Sequence, residues 1–316
     1  MIVSIKKILK TSIPLIFGAV LVWYSLSKIS INVLIGYFKE ANYEWIFLGL
    51  FFGILSHLSR AYRWKFMLDP LGFKPRFTNS VLAVLVGYLV NLAIPRAGEV
   101  SRAFVLTNYE QIPFEKGFGT IVAERIADLV MMLCIIIITL FVQFDFIYDL
   151  LTKNFDASKI SIGLIILIII SYILYFFVKK ATSGILLKIK TFVIGLVEGV
   201  TSIFRMKNKV AFIFHTIFIW VMYVAMFWAT IPAISGLEVP FGGVLIGFIA
   251  GGFSIAATNG GIGLYPIAVA GALALFDIPS DPATAFGWIM WTAQTAMIII
   301  FGGLAFLFLP IYNKHK

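Results

Sequence analysis

Charge is scarce in this sequence. Only 13% of its 316 residues are Asp, Glu, Lys or Arg, whereas a soluble domain needs about a quarter to cover its surface. Cysteine is almost absent. Cys134 stands alone, which excludes an intrachain disulfide. Acidic residues are few, 15 against 25 basic ones. No polar stretch is long enough to fold as a soluble domain, the longest being 60–76 and 179–209. There is no Ser-His-Asp array, no phosphate-binding glycine loop ending in Lys-Ser/Thr and no Cys/His cluster. These absences argue against an enzyme, a metal and any cofactor. His57 and His215 lack a second ligand at a fitting spacing.

What remains is apolar. Hydrophobic residues make up 61% of the chain, Phe alone contributes 31, and the mean hydropathy is +1.00. This is the composition of a multi-pass membrane protein. The net charge of +10 then points to cytoplasmic loops and anionic headgroups, not to nucleic acid. Lys6, Lys7 and Lys10 precede a first apolar run that lacks a convincing small-x-small cleavage site, so a retained span is expected.

A bilayer core of roughly 30 Å takes about 20 apolar residues per helix. Six segments fit: Ser12–Leu26, Tyr43–Ser59, Gly117–Phe141, Ile162–Val178, Val210–Ile231 and Ala283–Phe308. Loop charge orients them. Basic loops at 60–76 and 179–209 face the cytoplasm. The balanced loop 28–44 and the acidic loop 143–160 face outward, as do Glu238, Asp277 and Asp281. Both termini are cytoplasmic.

Parity then constrains two further regions. Phe77–Pro113 starts and ends inside, and Phe241–Phe276 starts and ends outside. Each must return to its own side. The expectation is two opposed helical hairpins broken by Pro and Gly, roughly eight membrane segments in all, in one all-α membrane domain over residues 1–316. Irregular backbone at membrane depth survives only against protein or a wet cavity, and paired broken helices in transporters mark substrate sites. The alternative is a pair of plain spans in each region. Ile185–Phe204 reads as an amphipathic cytoplasmic helix in the interface.

The first hairpin carries 91-NLAIPRAGEVSR-102, with Arg96, Glu99 and Arg102. The span from Gly117 carries 124-ERIAD-128, with Glu124, Arg125 and Asp128. Charge at mid-membrane costs roughly 2.5–3.5 kcal/mol on insertion scales, so these groups should face protein or water. Glu124 and Asp128 share a helical face, and Arg125 pairs with Asp128 at i, i+3. The two clusters carry opposite net charge and are candidates for mutual pairing. They serve either as structural glue or as a headgroup site, in which Arg96 and Arg102 lead as phosphate ligands because a guanidinium donates two parallel hydrogen bonds. The second hairpin is neutral. Asn259, Gly260, Gly261 and Gly263 offer tight turns and backbone amides, Tyr265 offers a hydroxyl, and Pro266 suits a helix start that would face an anion. Arg60, Arg63 and Trp64 read as a snorkelling helix end.

In combination, 95-PRAGEVSRAFVL-106, 124-ERIAD-128 and 260-GGIG-263 resemble the membrane region of lysylphosphatidylglycerol synthases and their stand-alone flippase-like relatives. The pair Arg63-Trp64 in 60-RAYRW-64 looks like that family's Arg-Trp helix end. The resemblance covers essentially the whole chain. It implies a cavity open to lipid and a role in moving a lipid between leaflets of the cell (inner) membrane. The implied partners are membrane lipids, either an anionic phospholipid or a polyprenyl-linked lipid, with a second copy or a partner membrane enzyme left open. The alternative is an accessory protein that binds lipid or an enzyme without transport. The synthase domain of the bifunctional relatives has no counterpart up to Lys316, so aminoacyl transfer is not expected. Two departures stand out: Pro266 where relatives tend to be acidic, and 288-WIMWTAQ-294 where they tend to carry arginine.

Overall fold

The computed structural model describes residues 18–154 and 206–314, with scattered positions between 162 and 203. No strand occurs among the described residues. The helices are α1 (Gly18–Leu26), α2 (Ile31–Glu40), α3 (Tyr43–Leu68), α4 (Phe77–Ala93), α5 (Ala97–Glu110), α6 (Phe114–Val142), α7 (Phe144–Asn154), α8 (Lys209–Thr230), α9 (Phe241–Ala257), α10 (Leu264–Ala274) and α11 (Ser280–Tyr312). The chain divides into two compact units. One comprises Met1–Val122 with Val210–Lys316, and the other Ala123–Lys209.

Among the described residues, four segments are long and apolar enough to cross a membrane: Tyr43–Leu71, Phe114–Val142, Lys209–Ala233 and Ser280–Tyr312. They match four of the six expected spans. Of the first expected span only the part from Gly18 is described, and α1 with α2 forms a bent pair at 83°. The expected span Ile162–Val178 and the amphipathic segment Ile185–Phe204 lie largely outside the described residues.

Two expected loops are partly helical. Ser30 caps α2, its hydroxyl accepting from the Val33 amide at 3.3 Å, and α7 occupies Phe144–Asn154. A short helix with a capped start satisfies its own amides, which loop charge cannot reveal.

The third helix corrects the reading more sharply. Asn42 caps it by accepting from the Glu44 amide at 3.0 Å. It then runs to Leu68 and ends in a 3-10 turn, Asp69–Leu71, closed by Gly72 at φ 86°. It therefore continues nine residues past Ser59, carrying Arg60 and Arg63 with it. Neither snorkels. Arg60, Arg63 and Trp64 are buried, at 2%, 0% and 0% exposure.

Both expected hairpins are present as pairs of packed short helices, α4 with α5 and α9 with α10. The longest of these has 17 residues, about 25 Å of helix, which falls short of a bilayer core. The last helix, α11, packs against one member of each pair, α4 and α10. Glycines allow both contacts. A Cβ on Gly302 would lie 2.8 Å from Leu89 of α4 and one on Gly287 2.7 Å from Pro266 of α10.

The open end of the first pair is clasped to the end of α11. Asn79 and Asn313 exchange side-chain amide bonds, each at 3.0 Å. Arg76 donates to Glu110 at 3.0 Å and lies over the Tyr312 ring. The second pair sits instead in a continuous apolar cluster that includes Phe227, Val244, Val269, Leu273 and Phe286.

Candidate functional site

The tip of the first hairpin is built by three local devices. Pro95 has no amide to donate. Arg96 adopts a left-handed backbone, φ 61°, which reverses the chain at the start of α5. Asn91, on the last turn of α4, accepts from the Gly98 amide at 2.7 Å and donates to Glu99 at 3.5 Å. Below the tip the two helices nearly touch. A Cβ on Gly98 would lie 2.1 Å from the Gly87 carbonyl oxygen, so only glycine fits.

Gly87 has a second consequence. A Cβ there would meet Arg102 Cγ at 2.6 Å. The missing side chain leaves room for Arg102 to cross α4 and place its guanidinium 4.4 Å above the Trp64 ring. Trp64 in turn donates its indole N–H to Thr120 at 2.8 Å. Arg63 donates to Thr216 at 3.0 Å and lies over Phe212. Arg60 reaches the Tyr223 hydroxyl at 3.4 Å, and Tyr223 contacts the Tyr88 hydroxyl at 3.1 Å. Ser59 and His215 are bonded at 2.8 Å. The result is a layer of three buried arginines, Arg60, Arg63 and Arg102 at 2%, 0% and 4% exposure, held by hydroxyls and aromatic faces from α3, α4, α5, α6 and α8.

The expected phosphate pair is thus divided. Arg102 joins the buried layer; Arg96 stays exposed at the tip. Six residues separate them, a turn and two-thirds of helix, so they leave α5 in different directions. Arg60 and Arg63 were missed as buried groups. Their signal was spacing: His57, Arg60, Arg63 and Trp64 recur at three- and four-residue intervals, a polar stripe on a helix longer than hydropathy alone suggests.

The second hairpin turns through Thr258–Gly263, with Gly260, Gly261 and Gly263 at φ 61°, 80° and 69°. Much of its amide capacity is used inside the turn. Ile262 donates to Asn259, Leu264 to Ile262, and Tyr265 to Gly261. The expectation that the start of α10 faces an anion is weakened accordingly. The helix does begin beside Pro266, which stands in its first turn where a missing N–H costs nothing. Tyr265 is a clearer correction. It is 3% exposed, its ring packs where a Cβ on Gly251 would come within 2.7 Å, and its hydroxyl interacts with Gln294. It stabilises helix packing and does not line an open cavity.

The two tips meet. A Cβ on Gly260 would lie 2.7 Å from Leu92 of the first hairpin, and Trp291 of α11 donates to the Gly260 carbonyl at 2.8 Å. The turn also rests on α1, since a Cβ on Gly263 would come within 2.5 Å of the Val22 amide nitrogen. Asn259 is half-buried at this junction.

In the other unit, Glu124 is fully buried and Asp128 is 8% exposed. Arg125 bridges both, at 3.3 Å to Glu124 and 3.6 Å to Asp128. The expected i, i+3 pair is formed, and Glu124 shares it. No group of three or more His, Cys, Asp or Glu suited to a metal occurs among the described residues.

Comparison with known proteins agrees with this architecture. The UPF0104 membrane protein MJ1595 of Methanocaldococcus jannaschii is 33% identical over 125 residues, 39% of this chain and 37% of that protein. Glycosyltransferase AglD of Haloferax volcanii is 31% identical over 77 residues, 24% of this chain and 12% of that protein. The matched stretches therefore span about a third and about an eighth of those two proteins. No solved structure matches. The family described as the lysylphosphatidylglycerol synthase transmembrane region matches residues 12–302, nearly the whole chain, and the protein belongs to that family of multi-pass membrane proteins.

Proposed function

We propose that this protein moves a lipid with an anionic headgroup between the leaflets of the cell membrane. The observation that carries the proposal is the buried layer of Arg60, Arg63 and Arg102 beside the junction of two hairpin tips. Three guanidiniums at membrane depth are costly, and their planar forks suit a phosphate. Short, broken helices that meet within one unit supply the kind of site found where transporters bind cargo. In this reading the hairpins enter from opposite faces, the termini are cytoplasmic, and the protein is a transporter, not an enzyme. The lipid is an anionic phospholipid or a polyprenyl-linked lipid. The partial likeness to a named glycosyltransferase favours including the second in any panel.

Purified protein in vesicles, with a leaflet-resolved assay over both lipid classes, tests the proposal. Accelerated exchange of one class, lost in Arg102→Met, is expected. No acceleration across the panel sinks it. Cysteines introduced near Lys74 and near Glu238 in a Cys134→Ser background should react from opposite sides of the membrane; reaction from one side overturns the topology.

A second reading has its own support. Arg63 and Arg60 are bonded to Thr216 and Tyr223, and Trp64 beneath Arg102 to Thr120, as in a structural core. An accessory protein that binds lipid or a membrane enzyme without transport would retain lipid in binding assays while showing no exchange.

A further inference from the structure

Beneath the arginine layer, α3, α4 and α11 enclose a cavity of about 240 Å³. Its walls are apolar and include Ile54, Val81, Leu85 and Ile298. Two lining residues, Leu58 and Phe301, are 36% and 40% exposed on segments that read as membrane spans, so the mouth opens toward lipid. One lining residue is out of keeping. His57 is 8% exposed, its ring lies 4.4 Å from that of Tyr88 at a tilt of 40°, and neither ring nitrogen has a hydrogen-bond partner among the described residues. A neutral imidazole always carries one donor and one acceptor. Leaving both unmatched in an apolar setting is unfavourable, and buried polar groups of this kind call for explanation.

We infer that this cavity seats one hydrocarbon chain of a membrane lipid, with the oxygen that links that chain to glycerol accepting a hydrogen bond from His57. The inference deepens the proposed lipid transport and rests on the arginine layer holding the headgroup. The order along α3 matches the order of groups in a lipid. Ile54, His57 and Arg60 follow one another at three-residue steps, about 4.5 Å each. Hydrocarbon lies at Ile54, the linking oxygen at His57, and the phosphate at the level of Arg60. The apolar walls exclude the headgroup itself, and the lipid-facing mouth between Leu58 and Phe301 gives the chain a lateral way in. A polyprenyl phosphate, whose oxygens all belong to its phosphate at the level of the arginines, would fill the cavity and leave His57 unmatched.

The test uses the whole protein in detergent, with three probes: a diester phosphatidylglycerol, its diether analogue and a polyprenyl phosphate. Native mass spectrometry reads retention. The glycerolipids should be held, and the Leu85→Phe variant, which fills the cavity, should hold them about tenfold less well. His57→Phe should weaken the diester by about tenfold and the polyprenyl phosphate hardly at all, while His57→Gln should recover part of the loss. Unchanged retention in Leu85→Phe, or equal loss for all three probes in His57→Phe, overturns the inference. Should either variant misfold, the unaltered protein still decides. A glycerolipid with a photoreactive group in its chain should label Leu58, Met297 or Phe301, and labelling confined to other positions overturns it. Exchange in vesicles without such labelling sinks the chain slot alone; labelling without exchange sinks the transport proposal alone.

Discussion

The two hairpins have the same outline and opposite chemistry. The first turns on a charged tip with one residue, Arg96, in left-handed backbone. It is secured by polar contacts: Asn91 at the tip, Arg102 across Gly87 onto Trp64, and the Asn79–Asn313 pair at the base. The second turns on three positive-φ glycines and is secured by shape, with Tyr265 against Gly251 and Phe227 against Gly247. Lipid tails are as apolar as leucine, so within a membrane helices associate through close packing and interhelical hydrogen bonds, not through hydrophobic burial. Both devices occur in both hairpins, since Gly98 packs on Gly87 in the first and Trp291 bonds Gly260 in the second, but buried charge enters only the first. The polar device is costlier to bury, and under the proposed function it is the first hairpin that would carry the headgroup chemistry while the second shapes the junction.

The contrast can be broken in stages. The largest effect is expected for Gly98→Val, whose side chain would drive into the Gly87 carbonyl. A loss of at least about 3 kcal/mol should appear as loss of a monodisperse species in detergent. Arg102→Met comes next. It removes a buried cation from the Trp64 face, a contact worth up to about 2 kcal/mol when desolvated, and lipid exchange should fall about tenfold or more. Arg102→Lys should rescue this poorly, because an ammonium cannot stack or donate in a planar fork. Asn91→Ala leaves the Gly98 amide short of its side-chain acceptor and should lower thermal stability by about 1–3 kcal/mol. In the second hairpin, Gly260→Ala meets only the flexible end of Leu92, and its left-handed backbone should cost about 1 kcal/mol. A larger loss in Gly260→Ala than in Gly98→Val would invert the contrast. The smallest effect is expected for Arg96→Gly, which relieves a left-handed residue and should change stability by less than about 1 kcal/mol. Lipid exchange that survives Arg96→Gly but not Arg102→Met would confine the site to the buried layer.

The two helix pairs were legible as apolar stretches too interrupted to read as single long helices. The breaks were legible because Pro95 interrupts a helix and the closely spaced 260-GGIG-263 glycines disfavour one. Arg60 and Arg63 were misjudged because hydropathy averages over a window and does not see which face a charge occupies. Tyr265 was misjudged for the same reason in reverse. A hydroxyl next to a glycine turn suggests a cavity, but Gly251, fourteen positions away, offers the ring a place to pack. The separation of Arg96 from Arg102 also follows from local geometry, since Arg96 itself takes the left-handed backbone of the turn while Arg102 lies inside α5.

The sequence by itself determined that the chain resides in a membrane, where its helices break and that charged residues stand within its apolar stretches. Those properties follow from composition, from residues with special backbone limits and from loop charge, all of them local or additive. Only the tertiary structure decided which charges are buried together, that the two tips meet at Leu92 and Gly260, and that His57 faces an apolar cavity below the arginines. Each of those depends on which helix passes within reach of another. In lipid that choice rests on glycine-sized gaps and single hydrogen bonds, which no one-dimensional pattern specifies.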